Sequence, residues 1–508
     1  MTTRPTWPHY DAVKAKPLAH RTRRFEPLLA ISLGFALASA VTAATKTWNT
    51  TSGSLSGSTS WSPTGTPLTT DEVVFDGTVT PAASISSAAS SNPTFGNFIW
   101  NNNTSSTLQM NTTSNTSAFI RLSGGGGFTA AVAAGGAAGD LIVMGTNAAD
   151  NTLTVSAINI NAAPGTALLR FRLDNSGNFN VVNAGAHLSI GTAISENGGA
   201  RTLTKTGAGL LTLGTNNTFS GGVVLTAGTL GLGSSSALGS GALTINGGAL
   251  ASSVNARTLT NAVTVGGDFT LGGLSNSITL NGTVDLGGAT RTLTLANSAT
   301  IGGGISNGGL TLSSSNATRT LTLNSNHTYS GATLVSSGTL LVNGALANSS
   351  SVSVSSQATI GGNGSMANSL TVDGGAFLQP GATTGAVGSL ATGTLTLNGN
   401  YLATLTANGV NDFLNITGSA NFAGTIAPVL FGYSPVANDA FNLADWTGSF
   451  SGTPTFDYSG ATLDEGLAWD STTFASDGAL RVVVIPEPNA AALLGSLGLL
   501  ALLRRQRI

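Results

Sequence analysis

The chain has 508 residues, a formal net charge of -2, no cysteine, and only 8% charged residues against the roughly 25% of an ordinary soluble protein. Glycine fills 68 positions, yet hydrophobic residues still make up 41%, which excludes a collagen-like or disordered polymer and leaves a chain able to bury a core. Few aromatics and many small or β-branched residues suit stacked β-structure over a large helical enzyme, and the absence of cysteine removes disulfides, zinc-thiolate sites and thiol nucleophiles together.

Residues 1–44 carry Arg21, Arg23 and Arg24, an apolar run from Leu28 to Leu37, and the small-residue stretch Ala38–Ala44. A basic region, an apolar helix and small residues in that order predict a secretory signal peptide, with cleavage after Ala40 or after Ala43. Residues 45–200 read as an N-terminal cap followed by irregular coils. Trp48, Trp61, Pro63, Pro67, Asp71, Val74 and Phe75 fit an opening segment that covers the end of a repeat array, and residues 101–200 are rich in Asn, Ala and Gly with weak alternation.

Residues 201–400 repeat. LTLGTNNTFSGGVVLTAGTL from Leu211 to Leu230 aligns without a gap to LTLNSNHTYSGATLVSSGTL from Leu321 to Leu340, with ten of the twenty positions identical. Shorter alternating relatives recur: RTLT at Arg201 and Arg257, RTLTL at Arg291 and Arg319. Alternation sends leucine and valine inward and threonine outward, while Gly or Asn turns the chain every few residues. One such unit cannot bury its apolar edge alone. Stacking coil on coil does, so the pattern predicts an all-β, parallel β-solenoid of roughly eight to ten coils, about 40–50 Å along its axis, at ~20–25 residues per coil. The rival is a β-sandwich array. Residues 401–484 gain aromatics, and Phe441, Trp446, Phe450, Trp469 and Phe474 are spaced as in short antiparallel strands, which predicts a C-terminal β cap.

KTGAGLLTL from Lys205, then NTFSGG from Asn217 and AGTL from Ala227, resemble the autotransporter-associated β-strand repeat of bacterial surface passengers. The second copy departs at its start, where Thr318-Arg319-Thr320 stands in place of the lysine-glycine opening. The resemblance implies a right-handed β-helix stalk. The chain ends in arginines after a short apolar run, where the strands of a translocating barrel would close on an aromatic, so export through other machinery is expected.

The tail 485–508 reads Ile485-Pro486-Glu487-Pro488-Asn489, then fourteen apolar or small residues Ala490–Leu503, then Arg504-Arg505-Gln506-Arg507-Ile508. As a helix that run rises about 21 Å against a hydrocarbon core of ~30 Å, a marginal membrane helix whose arginines would face the cytoplasm. Pro486, Glu487 and Pro488, the apolar run, and Arg504, Arg505 and Arg507 together resemble the PEP-CTERM sorting signal of Gram-negative bacteria. That resemblance implies processing near the triplet by an exosortase, and delivery from a membrane-anchored precursor to the cell surface or extracellular matrix. Asn489 stands where a smaller residue is commoner, which bears on recognition efficiency. A plain C-terminal anchor is the alternative.

The leader to Ala43 carries six basic and two acidic residues and the tail three and one, which leaves the body ten of the 19 basic and eighteen of the 21 acidic residues. Such a body, near -8, lacks the basic clusters that nucleic-acid binding requires. Chemistry is scarce. Outside the leader the histidines are His187 and His327, the latter read as a surface position of the repeat, held by Asn217 in the sister copy. Gly304-Ile305-Ser306-Asn307-Gly308 matches the nucleophile-elbow spacing, with no assignable His or Asp. The acids between 201 and 400 are Asp268, Asp285 and Asp373, too scattered for the grouped carboxylates of a polysaccharide lyase unless stacking unites them. The expectation is a non-catalytic exported surface or matrix protein, with no cofactor, no metal and no nucleic-acid partner. An adhesin or exopolysaccharide-binding protein is the alternative, and a β-helical lyase ranks third.

Overall fold

The computed structural model describes residues 176–485 almost continuously, together with Ala44–Trp48 and short strands between Trp61 and Leu173. The chain divides into two units, Met1–Thr42 and Ala43–Ile508. The first, with the predicted signal helix, lies outside the described residues, as do the tail from Pro486 onward and the membrane helix expected there.

The described residues of the second unit form an all-β parallel solenoid of about eleven turns. Its repeating rung explains the sequence: Leu203, Val223, Leu243, Val263, Val284 and Ile305 lie one above another in parallel register, each 20 or 21 residues from the last. In the strands Leu243–Ile245 and Val263–Val265 the aliphatic residues are buried while Thr244 and Thr264 between them face outward. A strand of alternating Leu/Val and Thr can be satisfied on one face only, and the coil above supplies the remaining backbone partners.

Each coil places strands on up to three faces. The first face is a sheet that runs from the N-terminal strands up to Ile305–Ser306. The second runs from Thr152–Val155 to Phe450–Ser451. The third holds a four-stranded sheet ending at Ile194–Glu196 and then, after two turns without a strand there, an 11-stranded sheet from Arg257–Leu259 to Thr455–Phe456. Gly222 illustrates how tightly the corners stack: its φ is +82°, and a Cβ there would sit 2.3 Å from the Ala242 carbonyl of the next coil.

At the N-terminal end Thr45–Trp48 pairs antiparallel with Trp61–Ser62, which sets Trp48 opposite Trp61, and parallel with Glu72–Phe75. An antiparallel edge strand therefore lies at the start of the first sheet, as an opening cap requires. The Lys46 ammonium donates to the Pro63 and Thr64 carbonyls at 3.1 and 3.3 Å.

The C-terminal part differs from the expected antiparallel strands. Phe450 and Trp446 lie in parallel rungs paired with Ala420–Phe422 and Phe413–Ile416, so coiling continues to Phe456. Among the described residues of this part, antiparallel pairing is confined to the hairpin of Asn400–Ala407 with Val410–Asn411 and to Ala440–Asn442, Leu467–Asp470 and Ala479–Val484, the last three holding Phe441 and Trp469. Phe474 sits in the Phe474–Asp477 turn of helix, the one α-helix among the described residues. The coils here lengthen, with Thr392 and Thr417 25 residues apart and Thr425 and Thr455 30 apart. The added residues carry the aromatics. Phe422, Trp446, Phe450 and Phe474 pack with ring centroids 4.9 to 6.4 Å apart, and Phe456, Tyr458 and Trp469 form a stacked row. This cluster covers the open apolar end of the last coils.

Candidate functional site: two repeat copies and the C-terminal end

The two copies of the repeat occupy different faces. In the first, Leu210–Leu213 and Thr229–Leu232 lie on the second face and Val223–Leu225 on the first. In the second, Thr320–Leu323 and Thr339–Val342 lie on the third face and Thr333–Val335 on the second. Five pairings climb from Leu211 through Leu230, Leu250, Leu271 and Leu295 to Ser314, and the residues beyond Ser314 carry the chain round one more corner. The second copy is thus the first, raised five coils and turned by one face.

Each copy also ends a sheet. Strand Ile194–Glu196 is the last of the third face's four-stranded sheet, and the chain above it, at Asn217, is not a strand. The Asn217 side chain takes the place of the missing backbone acceptor: the Ile194 N–H donates to its Oδ1 at 2.7 Å, and its Nδ2 donates to the Ala237 carbonyl. In the second copy Ile305–Ser306 is the last strand of the first face, and the Ile305 N–H donates to His327 Nδ1 at 3.0 Å. The neighbouring amides repeat the arrangement, Thr218 donating to the Ile194 carbonyl and Thr328 to that of Ile305. Two residues on, Phe219 and Tyr329 are fully buried and fill the space under the absent strand.

His327 is consequently not a surface residue. It is 0% exposed, because its ring must reach inward to cap Ile305. With Nδ1 accepting, Nε2 carries the hydrogen, and that buried atom has no partner among the described residues. Burial pushes the imidazole down to about 4. Its neighbours are polar as well: the Tyr329 hydroxyl bonds Thr333 Oγ1 at 2.6 Å, and Thr333 bonds Ser349, all three buried. Burial raises the Tyr329 hydroxyl to about 12. The first copy has Phe219 and Val223 at the corresponding positions.

Lys205, the opening lysine of the first copy, is the largest surprise. It lies between Phe179 and Leu225 in register and is 0% exposed. Its three N–H groups are matched by three carbonyls, Thr206 and Gly207 at 2.7 Å and Ala227 at 3.1 Å. Burial pushes the ammonium down to about 7, against the pull of those carbonyls. The signal was present in the sequence: in Leu203-Thr204-Lys205-Thr206 the lysine falls on the inward parity.

The other candidates are dispersed. His187 Nε2 bonds Thr212 Oγ1 at 2.8 Å on the neighbouring rung. Ser306 stands in register beside Asp285, whose carboxylate accepts from Gly287 and Asn307. The strand Gly309–Ser314 follows it, where a nucleophile elbow would have a helix, and Gly308 (φ +99°) answers to a close approach to the Ala289 carbonyl. Asp268 accepts the Thr292 N–H. Among the described residues no group of three or more His, Asp or Glu is placed to hold a metal ion. Near the C-terminal end Asp412 is buried, accepting the Gly388 and Thr404 N–H groups at 2.8 and 2.9 Å, and burial raises it to about 6. The sorting residues Pro486, Glu487, Pro488, Arg504, Arg505 and Arg507 lie outside the described residues. No helix among the described residues is long and apolar enough to cross a membrane.

The passenger-associated-transport-repeat family model matches this chain at residues 203–232 and 318–342. These are the two copies whose geometry is described above, and they are repeats of the autotransporter-associated type. No curated protein matches the chain.

Proposed function

We propose that the protein is a non-catalytic component of the cell surface or extracellular matrix, exported from a Gram-negative-type bacterium, with the solenoid serving as a stalk. The observation that carries this reading is the seating of two passenger-associated repeats in one continuous parallel solenoid of about eleven turns. A stacked backbone saturates its own hydrogen bonds and resists unfolding without disulfides, which suits a cysteine-free chain outside the cell. The partners are an exosortase-type enzyme, which would act near Pro486-Glu487-Pro488, and the membrane, held through Ala490–Leu503 until that step. The triplet directly follows Ile485, whose N–H is bonded to the Gly466 carbonyl. Proline offers no N–H, so neither Pro486 nor Pro488 can donate to a strand ladder.

Mass spectrometry of the extracellular fraction tests the reading. Processed protein ends close to Pro488. A full-length surface species that retains Arg504 to Arg507 would make the tail a simple anchor.

A further inference from the structure

Beside the C-terminal antiparallel sheet lies a cleft of about 490 Å³, within the usual range of roughly 300–1,000 Å³ for small-ligand sites. Asn411, Phe413, Asn442, Asp477 and Arg481 line it. Its polar groups are held in place from behind and keep bonding capacity in front. Asn411 Nδ2 donates to the Asp412 and Asn442 carbonyls at 2.7 and 2.6 Å, which fixes the amide and leaves Oδ1 without a donor among the described residues. Asn442 Nδ2 donates to Asp445 at 3.0 Å, and its Oδ1 is likewise unused. Arg481 donates to Asp477 at 2.6 Å and to Thr473, and its Nε–H has no acceptor there.

We propose that this cleft binds one uncharged pyranose unit of a glycan chain. A sugar ring needs paired donors and acceptors for adjacent hydroxyls and one apolar surface for its C–H face. The Asn411 and Asn442 amides with the Arg481 guanidinium supply the first, and the half-buried Phe413 ring the second. Charge decides which sugars enter. Asp477 and Asp470 act on the one guanidinium and Asp445 holds the Asn442 amide, so carboxylates at and beside the cleft outnumber its one cation and repel a uronate carboxylate. The inference is independent of the sorting reading, since every lining residue lies in the folded body before Ile485.

The test is saturation-transfer NMR and calorimetry on the full chain in a zwitterionic detergent, which brings no sugar headgroup. Maltotriose, cellotriose and N,N′-diacetylchitobiose serve as neutral probes and trigalacturonate as the acidic one. At least one neutral probe binds, and both Phe413→Ala and Asn442→Ala weaken it about tenfold. Thr264→Ala, on a remote outward strand position, leaves it unchanged. Asn442 is exposed, so its variant keeps the wild-type melting temperature and remains informative if Phe413→Ala unfolds. Binding by none of the neutral probes, tighter binding of trigalacturonate, or neutral-sugar binding that survives Asn442→Ala would overturn the proposal.

Discussion

The repeat at 203–232 and its sister at 318–342 solve the same problem with different chemistry. Both must cap the last strand of a terminating sheet and fill the space beyond it. The first does so with Asn217, bonded at both ends of its amide, over an apolar Phe219 and Val223. The second uses His327, bonded at one nitrogen only, over a Tyr329–Thr333–Ser349 chain of hydroxyls. The difference teaches that the motif conserves a geometry, a side-chain acceptor two residues before a buried ring, and tolerates a change of the groups around it as long as partners change together.

The largest effect expected from breaking either copy is loss of its ring. Phe219→Ala and Tyr329→Ala each cost about 3–5 kcal/mol, read as a lowered denaturation midpoint, because neither coil can collapse onto the void. Equal midpoints for variant and wild type would show that the ring fills nothing. Next comes the lysine that only the first copy has. Lys205→Met removes the donor of three carbonyls and costs roughly 3 kcal/mol despite the better hydrophobic fit. A gain in stability would mean that the carbonyls find other donors.

Smaller effects sharpen the contrast between the copies. Tyr329→Phe and Thr333→Val each cost about 1 kcal/mol alone, whereas the double variant, which restores the first copy's pair type, costs less than the sum. Strict additivity by chemical denaturation would refute the hydroxyl chain. His327→Asn gives the second copy the first copy's cap and stabilises by ~1 kcal/mol, since it removes a buried orphan N–H. It also alters the pH dependence. With the imidazole pushed down to about 4, the folded state holds fewer protons than the unfolded between pH 4 and 6.5. Stability from His327 is therefore full above about 6.5 and lost as pH falls through 4. Asp412, raised to about 6, contributes in the opposite sense, favouring the fold below about 4 and losing that contribution as pH rises through 6. The comparison is therefore variant against wild type at each pH, and the advantage of His327→Asn grows from pH 7 to pH 4.

Much of this fold was legible in the sequence, because alternating Leu-Thr-Leu strands with Gly and Asn corners have few other ways to bury their apolar edge. Stacking partners 20 or 21 residues apart, as at Leu203, Val223 and Leu243, follow from that pattern. The change of face was not legible, since the 110-residue offset between copies counts residues and not corners. Coiling beyond residue 400 was hidden by insertions that lengthened the coils to 25 and 30 residues and filled them with aromatics. The burial of Lys205 follows from its inward parity in the strand, against the usual preference of lysine for water. His327 looked external because a histidine in a threonine-rich segment carries no sign of which way its ring turns. The cleft at Asn411 and Arg481 joins residues some seventy positions apart, a proximity that only the return of Ala479–Val484 beside Ala440–Asn442 creates.

The central claim is that one side chain in each repeat stands in for a missing strand. Amide hydrogen exchange at Ile194 and Ile305 tests it most directly. Asn217→Ala should speed exchange at Ile194 by about tenfold or more while Ile305 stays protected, and His327→Ala should do the reverse. Protection of both amides unchanged in both variants would contradict the account.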